Sequence, residues 1–326
     1  MSRSTSADAI ISEYATKPLD FEPGTRWSYS NTGYTLVGRV LERVGGKPLG
    51  VMLQERIFTP LGMRQTAFDP SFTERVAKGY SSWALNEHEV AAPEGSGWTG
   101  AAGAIWSNAN DLARWDLALM RPGFLTPASR EILFRERILR NGVPTGYAAG
   151  LSVSRDAGRT IISHGGATSG FSATNMFVPQ DTAAVVVLSN YDENVTAGAL
   201  LPLVSPRRVD NDAQPARPTQ TPVPPPTPKG PPALQAALDF FTALQRGSVN
   251  RSGLTPDYAA FLTPKKVAQA SKSLSSLGEP TNAVLLGVRE RGGMQVAGVR
   301  LTFPNRVVRI SMYRAPSGAM EQFLLW

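Results

Sequence analysis

PLDFEPGTRWSYSNTGYTLVGRVLERVGG, residues 18–46, sets a turn, a polar loop and an amphipathic helix in one short run. Pro23-Gly24 is a turn signal. From Thr32 to Val44 the apolar residues fall at Tyr34, Leu36, Val37, Val40, Leu41 and Val44, which is helical spacing. Gly45-Gly46 ends the pattern. Tyr29 and Asn31 stand two apart in the loop at the helix start, where both can be directed into one cleft. A tyrosine can move a proton where nearby cations lower its pKa. An asparagine offers a donor and an acceptor to an amide or ester. On its own, Y-x-N is a common polar loop.

A second run, ISHGGATSGFSATNMFVPQDTAAVVVLSN, spans residues 162–190. Its alternation predicts strands over 160–164, 171–178 and 183–190, and a further strand is expected over 147–153. The short turns between them imply antiparallel neighbours. His164 stands at a strand end, and Gly165 and Gly166 leave the backbone uncovered, so a substrate can lie along the edge. The N–H of Ala167 is then free to donate to an oxyanion. Alone, His164 reads as a strand cap beside a glycine turn.

Together the two runs resemble the serine β-lactamase-like superfamily, nearest in pattern to class C β-lactamases, related esterases and D-amino-acid-specific peptidases. The family pattern P-G-x-x-x-x-Y-S-N-x-x-Y-x-L-L-G is met here by PGTRWSYSNTGYTLVG, its H-x-G by His164-Gly165-Gly166, and its G-F and L-x-N by Gly170-Phe171 and Leu188-Ser189-Asn190. AAGAIWSNANDLARW, residues 101–115, is similar to the family's glycine-rich turn before a helix, with Ser107 expected as the N-cap. The resemblance covers roughly residues 15–200. It implies an α+β fold, a helical region beside an antiparallel sheet. It implies that Tyr29 serves as general base or proton relay and that Asn31 binds the amide or ester side of a substrate. His164 takes the place where many relatives carry lysine, and the Ala167 N–H forms half of an oxyanion hole.

The family nucleophile, S-x-x-K, is a departure. None of the seven lysines has a serine three residues before it. The expectation is therefore a chain truncated at its N-terminus, with a sheet lacking its first strands and no serine acylation of its own. The alternative is a non-catalytic ligand-binding or scaffold protein that keeps the cleft.

Composition sets the outer limits. The chain has 326 residues, no cysteine and two histidines, His88 and His164, which excludes disulfides, thiolate metal sites and a cysteine nucleophile and leaves no multi-histidine metal centre. No cofactor or metal is implied, only a small-molecule or peptide substrate. No apolar run reaches membrane-span length, and the first residues have no signal-peptide core; compartment stays open. Residues 206–232, rich in proline, read as a semi-rigid linker between residues 1–205 and a small α+β domain over 233–326. That last segment, with helices expected from Leu234 and over 256–277 and then four strands, is similar in pattern to the cone-shaped NTF2-like accessory domains, and it is expected to behave better alone than the whole chain, whose incomplete sheet is expected to make it poorly soluble or self-associating. The first 205 residues hold 18 Lys/Arg against 19 Asp/Glu, the remainder 15 against 7. The basic excess is scattered, as on a solvated surface, so no nucleic-acid partner is expected.

Overall fold

The computed structural model describes residues 4–69, 76–156, 158–192, 198, 200–205, 227–291 and 293–326. Most of the expected linker, residues 206–226, lies outside them. The chain divides into two compact units, Met1–Ser81 with Val90–Gln220, and Ser82–Glu89 with Thr221–Trp326.

In the first unit, four strands form an antiparallel meander: β1 (Ser152–Asp156), β2 (Arg159–Thr168), β3 (Phe171–Val178) and β4 (Ala183–Ser189). The expected strand over 147–153 is instead a turn followed by the start of β1. The Ala148 N–H donates to the Leu151 carbonyl at 2.7 Å, and Gly150 adopts φ +81°, which closes the chain on itself before Ser152. Helix Ala109–Met120 packs on the sheet, where Leu119, Met120, Val153, Ile162 and Phe177 form a buried cluster. Its N-cap is Asn108, whose side chain accepts from the Asp111 N–H at 2.8 Å. Ser107, the expected cap, is bonded to the Thr66 hydroxyl at 2.8 Å instead.

Helix Asn31–Gly45 forms where its spacing predicts and ends at Gly46 with φ +65°. Its orientation is the surprise. The side it buries carries Thr35 and Gly38, and a Cβ at Gly38 would come within 2.4 Å of the Ala101 Cβ. The apolar stripe faces outward: Leu36, Val37, Val40 and Leu41 are about half exposed and Val44 is 83% exposed. Among the described residues no helix is long and apolar enough to cross a membrane.

The second unit is a four-stranded antiparallel meander, β5 (Asn282–Arg291) through β6 (Met294–Phe303) and β7 (Arg306–Arg314) to β8 (Met320–Leu325). Bulges at Gly298/Val299 and Tyr313/Arg314 bend it. Helix Ala233–Arg246 presents Ala237, Phe241 and Leu244 to its core. The expected long helix over 256–277 is broken into Pro256–Phe261, Pro264–Leu274 and a short 3₁₀ turn, because Pro264 cannot continue a helix and starts a new one under the Thr263 cap.

Residues 233–326 do not make this core alone. Trp83 and Ala84 are buried in it, and the Trp83 indole donates to the Lys266 carbonyl at 2.8 Å and meets the Phe261 ring edge-on. The Ser273 hydroxyl donates to the Ala84 carbonyl at 2.6 Å.

Two outcomes follow from this packing. Val40→Glu in the full chain changes stability by no more than about 0.5 kcal/mol in denaturant titrations, since the site is exposed. Trp83→Ala lowers the stability of the second unit by about 3 kcal/mol or more in denaturant titrations, and a 227–326 fragment is destabilised likewise.

Candidate active site

Tyr29 is delivered by a cap. Ser30 is extended at φ −143°, and its hydroxyl accepts from the Gly33 N–H at 3.0 Å, which fixes where the chain enters the helix. Tyr29 therefore precedes the helix and Asn31 opens it. The Tyr29 ring lies 6.0 Å from the His164 ring and 6.2 Å, edge-on, from Tyr147. Trp27 packs on Tyr147 at 4.8 Å. The His164 Nε2 and the Tyr147 hydroxyl are 3.1 Å apart. Asn31 is exposed, and among the described contacts no hydrogen bond joins it to this cluster.

Tyr147 was not legible as a site residue. It is buried in the 145–151 turn, where the Thr145 hydroxyl donates to its carbonyl at 3.0 Å and the Arg137 N–H does so at 2.8 Å. The signal was present: glycines at 146 and 150 frame the tyrosine as a turn rather than a strand.

The strand edge is open beside this cluster. Strand β2 pairs with β1 from Arg159 to Ser163, and with β3 as far as Thr168. Among the described residues His164–Thr168 is thus paired on one side only. Gly165, Gly166 and Ala167 are exposed there. The fold does not require glycine at 165 or 166. Neither has positive φ, and an added Cβ would meet only ordinary contacts, at 3.7 Å and 3.8 Å. Gly170 contrasts with them, with φ +80° and the Ala91 Cβ at 2.6 Å from the place its own Cβ would take. The bare backbone at 165–166 answers to something other than packing.

Burial sets the protonation of the cluster. It pushes the Tyr147 phenol up, with Tyr34 and Tyr29 adding to the shift. It pushes Tyr34 up as well, with Tyr29 adding and Arg137 opposing. It pushes His164 down, against a bond to the Gly165 backbone that favours the protonated ring. Such a bond is a ring N–H donating to a carbonyl. In the tautomer that carries this N–H on Nδ1, Nε2 is an acceptor and the Tyr147 hydroxyl, 3.1 Å away, is in place to donate to it.

The comparisons with known proteins agree with this architecture. The chain belongs to the beta-lactamase family, whose model matches residues 2–205. It is 30% identical over 190 residues to penicillin-binding protein 4* of Bacillus subtilis, a match covering 53% of this chain and 42% of that protein. It is 26% identical over 187 residues to the D-aminopeptidase of Brucella ovis, covering 56% of this chain and 35% of that one. Among solved structures, a D-stereospecific amidohydrolase from Streptomyces sp. superposes with a TM-score of 0.51 at 25% identity, over 58% of this chain and 57% of that one. The chain thus spans less than half the length of these two curated relatives.

With only two histidines, the ring resonances of His164 can be followed by NMR. Tyr147→Phe raises the His164 pKa toward the ordinary value near 6.5, because it removes a donor that favours the neutral ring. An unchanged His164 titration counts against the Tyr147 contact.

Proposed function

We propose that residues 1–205 form the substrate cleft of a serine hydrolase for amide or ester bonds, with the D-amino-acid amide or peptide as the substrate class. The observation that carries this reading is the one-sided pairing of His164–Thr168 next to the Tyr29–Tyr147–His164 cluster. A substrate laid along that edge adds main-chain hydrogen bonds as an extra strand does. The Ala167 N–H donates to the carbonyl oxygen as it becomes an oxyanion, an interaction of the kind worth about 3 kcal/mol to the transition state. Gly165 and Gly166 keep side chains out of the way. Tyr29 stands where it would take the proton of a hydroxyl supplied by an S-x-x-K segment, and Asn31 holds the amide or ester of the substrate. His164, neutral and oriented by Tyr147, stands where many family members place a lysine. The substrate class is drawn from the names of the relatives, a D-aminopeptidase and a D-stereospecific amidohydrolase.

The sequence contains no S-x-x-K, so the chain as given binds substrate and does not acylate. Residues 227–326 act as an accessory, structural or ligand-binding, unit. A non-catalytic binding protein is the second reading, and the same missing motif favours it. An S-x-x-K encoded in frame upstream of Met1 supports the hydrolase, whereas a clean start with no such motif supports the binder.

The cleft itself is tested on the chain in hand. Intact mass after treatment with a fluorophosphonate shows no adduct on any serine. D-phenylalaninamide, titrated into the full chain, moves the His164 resonances, and Gly166→Val weakens that binding at least about tenfold with little loss of stability. A stoichiometric serine adduct removes the claim of inactivity. A Gly166→Val chain that binds normally removes the strand edge from the site.

A further inference from the structure

Asp116 lies on helix Ala109–Met120 with none of its surface exposed. Its Oδ1 accepts from the Asn175 Nδ2 at 2.7 Å. The other two polar atoms of the same pair, Asp116 Oδ2 and Asn175 Oδ1, are buried and have no partner among the described residues. A carboxylate oxygen and an amide oxygen are both acceptors and cannot satisfy each other. A carboxylic acid and an amide can: the acid O–H donates to the amide oxygen while the amide N–H donates to the acid carbonyl. The two orphan atoms complement each other once Oδ2 carries a proton. We propose that Asp116 is a neutral carboxylic acid that closes a two-bond ring with the Asn175 carboxamide, and that it acts as a positioning residue for the strands that carry His164.

The register gives the ring its reach. Asn175 is the ladder partner of His164 across β2 and β3, and Ala173 is the partner of Gly166. Ladder partners project to the same face of a sheet. The ring therefore fastens the helix to β3 directly opposite the proposed reacting edge.

The electrostatics run the same way. Burial pushes the Asp116 carboxyl up to about 7, and the Asn175 N–H is the only other influence, opposing it. Among the described residues no cation pairs with this carboxyl. On its own helix Asp111 is paired with Arg114 at 2.7 Å. On helix Pro127–Phe134, Glu131 is paired with Arg135, and Arg130 donates to the Arg121 carbonyl. On β2 the ionisable groups are His164 and Arg159, the latter with Asp156 and Asp181. β3 and β4 carry none.

A carboxyl whose folded pKa lies above its unfolded value binds its proton more tightly in the folded state. Stability is then full at low pH and is lost as pH rises through the folded pKa. Asp116→Asn places two amides face to face, which keeps both bonds and removes the titration. In the full chain labelled with carboxyl-¹³C aspartate, one aspartate carbon remains in its protonated position at pH 6, where an ordinary aspartate is ionised. The wild-type folding constant, relative to Asp116→Asn, falls about tenfold or more between pH 6 and pH 8.5. The His164 ring shows a second inflection over the same range, absent in Asp116→Asn, which a purely structural contact would not produce. If every aspartate carbon is ionised at pH 6, Asp116 is a carboxylate with a bridging water or ion between the orphan atoms, and the proposal is overturned. A flat stability difference, or a single His164 inflection in both proteins, also overturns it. Should Asp116→Asn fail to fold, the wild-type carbon spectrum decides alone.

Discussion

The arrangement of the site depends on one mismatch of strand lengths. β2 runs on past the end of β1, so that His164–Thr168 has strand partners on the β3 side and, among the described residues, none on the β1 side. An unpaired edge is normally a hazard that proteins cover or blunt. Here its neighbours are a histidine, two glycines that the packing does not demand and a buried aromatic group. The turn at 145–151 produces the mismatch. By folding back at Gly150 it delays β1 until Ser152, and it sets Tyr147 against His164 in the same stroke.

What the sequence made legible follows from how local each cause is. Helix Asn31–Gly45, its glycine stop and strands β3 and β4 rest on periodicity and turn residues within a few positions, and they formed where expected. The strand expected at 147–153 did not form because Gly146 and Gly150 take left-handed conformations, φ 70° and 81°, and turn the chain before Ser152. The pairing of Tyr29 with His164 was legible only through resemblance, since nothing local joins residues more than a hundred positions apart. Asp116 carried no signal at all. On the helix expected after Ser107 it looks like one more polar position, and only the sheet beneath reveals it as buried.

The second unit shows the same limit from the other side. Proline content predicts a division near 206–232, yet the unit's core takes in Trp83 and Ala84 from far upstream. The hydrogen bond from Trp83 to Lys266 spans 183 positions. A segment of eight residues, Ser82–Glu89, leaves the first unit and returns to it. Ala84 and Leu85 take left-handed backbone conformations on the way, at φ 51° and 64°. Such conformations are costly for residues with a Cβ and persist where the surroundings fix them. Here the Trp83 indole bond and the Ser273 bond to the Ala84 carbonyl do the fixing.

Desolvation is the common cause behind the chemistry of the first unit. It raises Tyr34, Tyr147 and Asp116 and lowers His164, and in each case it is the largest influence. All four shifts favour the uncharged form. Arg137 is the one cation among the causes, and it comes last of three at Tyr34. A lining of neutral rings discriminates against any ligand group that must stay ionised, because such a group would lose its water without gaining a counter-charge. A neutral carbonyl loses less, and the unpaired backbone of His164–Thr168 can return the hydrogen bond it gives up. On the proposed function, selectivity rests on which groups tolerate dehydration, with the strand edge supplying direction and the buried Tyr147 and half-buried Tyr29, Tyr34 and His164 rings supplying the uncharged lining.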